Sequence, residues 1–364
     1  MVADWQGLTT GAFQAVLALS LARVFGTLNK RIRSGKSLVL RLNRTKRRFL
    51  ILFHCEPVLK SKKFPSKPRR KKQSALSTPS SCCAEITFGR VLDDGCAIDI
   101  VVDQATGNPN LFVRTGQAEF VAPEFEVGEL IFRTGRIPPG CERQIHFPDC
   151  PADFESAEKL FSDLQAPVEA LGFSAETSAV AAFFSLASWF ADVLPQAPLL
   201  SVTGPEREAT LLLDLLACTT RRGLRIGEFD HAILRVLPTE IAPTLLINSA
   251  ERSPAARQLF RTTNYRGVLT PNSGRLADFC FAKAVYDGRR AFPSRDGALR
   301  ITLLPFPGRP PVFHTDDATK LARHLQPKLV SYRARFIHAT RASLYDVSDF
   351  AVATRTLAQI FGPH

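Results

Sequence analysis

The stretch Pro198-Leu199-Leu200-Ser201-Val202-Thr203-Gly204-Pro205-Glu206 decides the fold. Its apolar run fits a strand that is covered on both faces. Gly204-Pro205 ends that run, because glycine accepts turn backbone and proline cannot donate to a ladder. From Glu206 to Thr219 the apolar residues then recur at helical spacing. Strand, tight turn and helix make one βα unit. Downstream, Leu224-Arg225-Ile226, Pro243 to Asn248, Tyr265 to Leu269, Phe281 to Tyr286 and Leu299 to Leu304 are further strand candidates separated by helical or turn sequence. The pattern predicts an α/β sheet, with Leu199 to Val202 and Leu245 to Ile247 as adjacent parallel strands at its centre.

Before this unit, Ser156 to Leu171 and Thr177 to Phe190 carry apolar residues at i, i+3 and i+4, with Ser156 and Ser174 placed to cap them. At the other end, Asp316 to Ala342 and Ser348 to Phe361 read as a helical lid or tail. Residues 84–139 instead alternate: Ile86-Thr87-Phe88, Ala97 to Val102, Asn110 to Arg114 and Leu130 to Arg133 are separated by the turn signals Asp93-Asp94-Gly95 and Gly107-Asn108-Pro109. The expected organisation is a low-order basic leader with a short N-terminal helix over 1–83, a small antiparallel β domain over 84–150, and an α/β domain with a helical C-terminal part over 151–364.

Charge separates the leader from the rest. Residues 1–83 hold 18 Lys/Arg against 2 Asp/Glu, whereas the remaining 281 residues hold 29 against 32. Any electrostatic partner therefore concerns the leader, whose residues 30–72, including Lys46-Arg47-Arg48 and Lys67 to Lys72, read either as a non-specific nucleic-acid arm or as a solvated tail. Within it, Phe49 to Phe53 could form one strand, but no neighbour offers a partner. Gly11 to Phe25 is interrupted by Gln14, Ser20 and Arg23, too short and too polar for a membrane span, so a buried or amphipathic helix is expected. The chain has 364 residues, 45% hydrophobic and 22% charged, which excludes collagen-like, mucin-like and wholly disordered classes. Eight cysteines in a chain of this length without a secretory signal are expected as thiols, and the compartment as cytoplasmic.

The segment Thr203-Gly204-Pro205-Glu206-Arg207-Glu208-Ala209-Thr210 stands where a phosphate-binding loop would lie, between first strand and helix. Such a loop needs converging glycine N–H groups, a lysine and a magnesium-binding hydroxyl. In this chain Gly204 and Thr210 are the matching residues, and Glu206 and Glu208 put carboxylates where phosphate would sit. About 40 residues on, Thr244-Leu245-Leu246-Ile247-Asn248-Ser249 has the apolar residues of a Walker B strand, with Asn248 and Ser249 in place of its acids.

With these residues, and with the Trp189-containing helix, Lys283-Ala284-Val285 and Leu299-Arg300-Ile301, the region from Phe183 to Gly362 resembles the P-loop ATPase module of helicase-like and primase-associated proteins of bacterial mobile elements and prophages. The resemblance implies a mainly parallel sheet with flanking helices. It also implies a vestigial nucleotide site at Gly204, Thr210, Asn248 and Arg300, of which Arg300 would read a γ-phosphate or a neighbouring subunit. No catalytic residue, cofactor or metal is expected. The expected function is a non-hydrolysing binding or scaffold protein with a protein partner, linked to mobile-element DNA metabolism. The alternatives are an NTPase with a non-standard site, in which Arg207 or Lys283 replaces the missing lysine, and a DNA-binding accessory factor. Cys141, His146 and Cys150 could offer three zinc ligands, but read as loop residues because no fourth donor is near in sequence. Gly35-Lys36-Ser37 matches a phosphate-loop ending by letters only, with no strand before it.

Overall fold

The computed structural model describes residues 83–116, 118–229, 236–250, 263–272, 274–288, 298–308 and 311–346. The chain divides into two units, Met1–Ala75 and Leu76–His364, and all described residues belong to the second. The leader's helix, the run Phe49 to Phe53 and the helix expected over Ser348 to Phe361 lie outside the described residues.

The sheet that the sequence predicts is present. Strands β8 (Leu199–Thr203), β9 (Gly223–Phe229), β10 (Thr244–Ala250), β13 (Lys283–Tyr286) and β14 (Leu299–Thr302) form one five-stranded sheet in the order β14-β8-β13-β10-β9. Every pairing is parallel. The expected adjacency of Leu199 to Val202 and Leu245 to Ile247 is corrected: β13 lies between them, with Lys283 opposite both Leu199 and Leu245. Apolar content marks all three strands as buried on both faces but is silent on which two are neighbours. Tyr265 to Leu269 is not a strand. Tyr265 makes an isolated bridge to Gln196, and Gly267, at φ 80°, donates its N–H to the Asp278 carboxylate at 2.9 Å, which curls the segment into a turn. Past that turn, β11 (Leu269–Asn272) and β12 (Arg275–Asp278) form a two-stranded hairpin.

Helices pack on one face of the sheet. The hydroxyl of Ser156 accepts from Lys159 N at 3.1 Å to start α2 (Ala157–Ala170), and that of Ser174 accepts from Thr177 N at 3.2 Å to start α3 (Ala175–Ser188). Helix α4 (Glu206–Thr219) buries Leu211, Leu212, Leu213, Leu215 and Leu216, so it lies inside rather than on the surface. Phe184, Leu200, Val202, Leu246, Ala284 and Ile301 share that core. The opposite face, with Leu199, Leu245, Ile247 and Val285, packs against Phe88, Ile100, Ile137, Ile145 and Cys141 of the short α1 (Cys141–Gln144). Packing is thus continuous across residues 150 and 151. The long α5 (Thr315–Asp346) buries Leu325, Leu329, Tyr332 and Ile337 against α2, Trp189 and the strand residues Ala97, Val101 and Phe112. No helix among the described residues is long and apolar enough to cross a membrane.

The N-terminal strands are β1 (Cys83–Ile86), β2 (Gly89–Val91), β3 (Ala97–Val102), β4 (Pro109–Arg114), β5 (Glu119–Ala122), β6 (Glu124–Val127) and β7 (Leu130–Arg133). They form sheets β2-β3-β4-β5 and β1-β7-β6. The chain passes between the sheets at Thr87-Phe88 and again at Pro123, so the pairings run round and close on themselves. Cys96, Ile98, Leu111, Val113 and Phe132 fill the interior. The expectation of an antiparallel domain holds for every pairing but one: β1 and β7 run parallel. With β1–β2 and β5–β6 each taken as one bent strand, the ring is an odd-numbered meander, whose first and last members must point the same way.

Candidate functional site

In an open parallel sheet the ligand crevice lies beyond the carboxyl ends of the strands, where neighbouring strands lead the chain to opposite sides. In this sheet that place is the end of β8, between β13 and β14. Only Gly204 and Pro205 separate β8 from α4, too short a turn to wrap a phosphate group. Gly204 sits at φ 119°, and a Cβ there would lie 2.4 Å from Leu303 O. The Tyr286 hydroxyl donates to Gly204 O at 3.0 Å. Glu208 is buried, its Oε1 accepting from Phe306 N at 2.9 Å. The segment after β14 and the end of β13 therefore close over the turn.

The electrostatics of this crevice are negative. Burial, together with the carboxylates of Glu206, Asp287 and Glu208, pushes the Tyr286 hydroxyl above its ordinary value. An anionic phosphate would meet the same field.

The four residues named from the resemblance are not gathered into one site. Gly204 is in the turn. Thr210, one turn into α4, borders an open groove of about 490 Å³ with Glu206, Arg207 and Asp214 on one side and Val312 and Phe313 on the other. Asn248 lies near the end of β10, two strands from β8, with its Oδ1 buried and without a hydrogen-bond partner among the described residues. Arg300 is exposed in mid-strand on the edge strand β14, in register with Ser201. Lys283, the other candidate for a replacement lysine, is at the wrong end of the sheet. It pairs with Leu199 at the start of β8, roughly 16 Å from Gly204 at 3.3 Å per residue. Cys141 is buried, Cys150 is exposed and His146 is half-buried, with burial lowering the imidazole and raising both thiols. Among the described residues no three His, Cys, Asp or Glu side chains converge as metal ligands would.

The most concentrated charge in the protein lies at the amino ends of the strands, and the sequence alone did not point to it. Asp99 of β3 meets three guanidiniums: Arg221 Nε at 3.1 Å and Arg333 Nε at 2.8 Å on its Oδ2, and Arg222 on its Oδ1. Asp192 takes Arg333 through two bonds of 2.7 and 2.6 Å and Arg221 at 3.1 Å. Arg222 also donates to Phe88 O and Ile241 O, and Arg333 to Trp189 O. Asp99, Arg221, Arg222 and Arg333 are all at most 5% exposed. The cluster joins the strand ring (Asp99), the connection after α3 (Asp192), the α4–β9 turn (Arg221, Arg222) and α5 (Arg333). Gly89 permits this contact, since a Cβ there would lie 2.5 Å from Arg221 Nη2.

Burial alone would raise both carboxyls, but the surrounding guanidiniums outweigh it and hold Asp99 and Asp192 below the ordinary carboxylate value. Burial and the charge of Arg221 push Arg222 down to about 10, because three guanidiniums share two carboxylates. A carboxylate in the middle of an apolar strand, Ile98-Asp99-Ile100, and paired arginines in a helix-to-strand turn were the available signals.

The chain matches no protein-family profile and no curated protein. Among solved structures it is similar to the X-ray structure of JCV helicase, at 11% identity and a TM-score of 0.20, over 56% of this chain and 65% of that one.

Proposed function

We propose that the chain is a non-hydrolysing, P-loop-like binding or scaffold protein. The observation that carries this reading is the two-residue Gly204-Pro205 turn, closed over by Tyr286 and Leu303, with Glu208 held by Phe306 N. The strand order supports the P-loop-like part: in chain order the parallel strands lie five-one-four-three-two, with the first flanked by the fourth and fifth at the switch point. A helix N-terminus binds phosphate through free N–H groups and a positive end. At α4, Glu206, Glu208 and Asp287 oppose that attraction, and the buried Lys283 is too distant to offset them.

Phosphoryl transfer depends almost wholly on positioning and on groups that stabilise developing charge. With the lysine and both acids replaced, the full-length protein is expected to release no phosphate from ATP above the buffer rate and to show no thermal shift with magnesium and ATP. Saturable turnover that survives further purification and disappears in Arg207→Ala would overturn the reading in favour of an NTPase with a non-standard site.

The basic leader supports a second role that coexists with the first, non-specific nucleic-acid binding beside mobile-element DNA metabolism. Each phosphate neutralised by Lys or Arg releases counterion, so binding to duplex DNA is expected to fall steeply with salt. Deleting residues 1–83 is expected to remove it. Equal low-salt affinity of a truncation beginning at Ala84 would exclude the arm.

A further inference from the structure

The β11–β12 hairpin is held at its base by the side chains of Lys283, Asp278 and Arg266, with Lys283 the most deeply buried. Lys283 is 1% exposed, and its ammonium is surrounded by oxygens from both sides of the hairpin base. It donates to Thr263 O at 2.9 Å and Asn264 Oδ1 at 3.4 Å on the entering side, and to Phe279 O at 3.2 Å and Phe281 O at 2.9 Å on the leaving side. Two further ties flank it. Asp278 accepts from Gly267 N and Cys280 N, and the Arg266 guanidinium donates to Leu194 O and Ala191 O. Above this base the strands carry Leu269, 55% exposed, and Leu276, 65% exposed. Ala277, on the other face, packs on the core with little area of its own, and a two-stranded hairpin is marginal in water unless something anchors it.

Three main-chain carbonyls and one amide oxygen at 2.9–3.4 Å form the kind of shell that carbonyl-lined sites give to a weakly hydrated monovalent cation. We propose that Lys283 acts as a tethered monovalent cation, filling a potassium-sized oxygen cage whose occupation fixes the base of the β11–β12 hairpin to the parallel sheet. A hydrogen bond to a charged donor is stronger than a neutral one, and a buried oxygen deprived of it is costly, although Phe279 O keeps a bond from Phe281 N at 2.7 Å. The lysine stem reaches the cage from the first residue of β13, so the hairpin is fastened to the strand at the centre of the sheet.

The test reads amide hydrogen exchange of residues 265–278 in the full-length protein by mass spectrometry, at constant ionic strength. Lys283→Met keeps the stem and removes the cation, and it is expected to speed hairpin exchange roughly tenfold in every salt, since one lost charged hydrogen-bond set is worth about that factor. Lys283→Ala also vacates the space. Its hairpin is expected to exchange fast in choline or lithium chloride and several-fold more slowly in potassium or ammonium chloride, while wild type is the same in all four. If Lys283→Ala is unfolded in choline chloride, the same contrast is read as refolding in potassium. Unchanged exchange in Lys283→Met, or a Lys283→Ala protein that responds alike to potassium and choline, would overturn the proposal.

Discussion

Replacing Asp99 by asparagine is expected to destabilise the protein by about 3–5 kcal/mol, the range for removing one partner from a buried ion pair. The substitution keeps the shape and removes the charge. Arg221 and Arg333 would keep only the carboxylate of Asp192 as a charged partner, and Arg222 only the carbonyls of Phe88 and Ile241, at positions where water cannot replace the lost partner. Urea denaturation followed by circular dichroism measures the effect in the full chain. A loss under about 1 kcal/mol would mean that the guanidiniums find other partners and that the cluster does not join the strand ring to the sheet. The same variant isolates a pH dependence. Both carboxyls titrate lower in the folded protein than the value of about 3.9 in the unfolded chain, so their contribution is complete above that value and is lost as pH falls through the lower folded values. The stability gap between wild type and Asp99→Asn is therefore expected to stay constant from neutral pH to about 5 and to narrow on further acidification.

The parts of this fold that could be read from the sequence are those that local chemistry decides. Helix α4 begins at Glu206 and ends at Thr219 as its apolar period and the Gly204-Pro205 turn require, and the caps Ser156 and Ser174 act where predicted. Strand β3 covers Ala97 to Val102, the span its apolar pattern predicts. What could not be read is set by pairing across long stretches of chain. The place of β13 between β8 and β10 follows from which gap the returning chain fills, and Ala284 and Val285 look the same in any central position. Strands β5 and β6 were missed because Pro123 and the glutamates of Glu119 to Glu129 look like loop sequence, whereas Pro123 marks the bend where one strand changes sheets. The buried cluster was missed because an arginine run between helix and strand is usually a solvated turn; its burial depends on Asp99, over a hundred residues earlier.

Gly204→Ala is expected to cost about 3 kcal/mol or more, combining the strain of a glycine-only backbone with a steric clash. The residue is at φ 119°, and its added Cβ would lie 2.4 Å from Leu303 O and 2.9 Å from Leu303 Cβ. Neither of those atoms is the end of a flexible side chain. Leu303 N is itself bonded to Thr203 O at 2.8 Å, so the two segments cannot part without breaking a ladder bond at the end of β8. Gly107→Ala is the control: Gly107 has φ 71° but open space around it, so it is expected to lose only about 1 kcal/mol from backbone strain. The difference between the two variants in urea midpoint measures the packing of Leu303 on the turn together with the greater backbone strain at φ 119°. Equal losses would show that the turn is open and that a ligand could occupy the space Leu303 fills. A much larger loss at Gly204, in a protein whose thermal stability is insensitive to magnesium and ATP, would identify this glycine as the closure of the crevice: the position that in a phosphate loop admits a ligand admits instead the chain's own backbone.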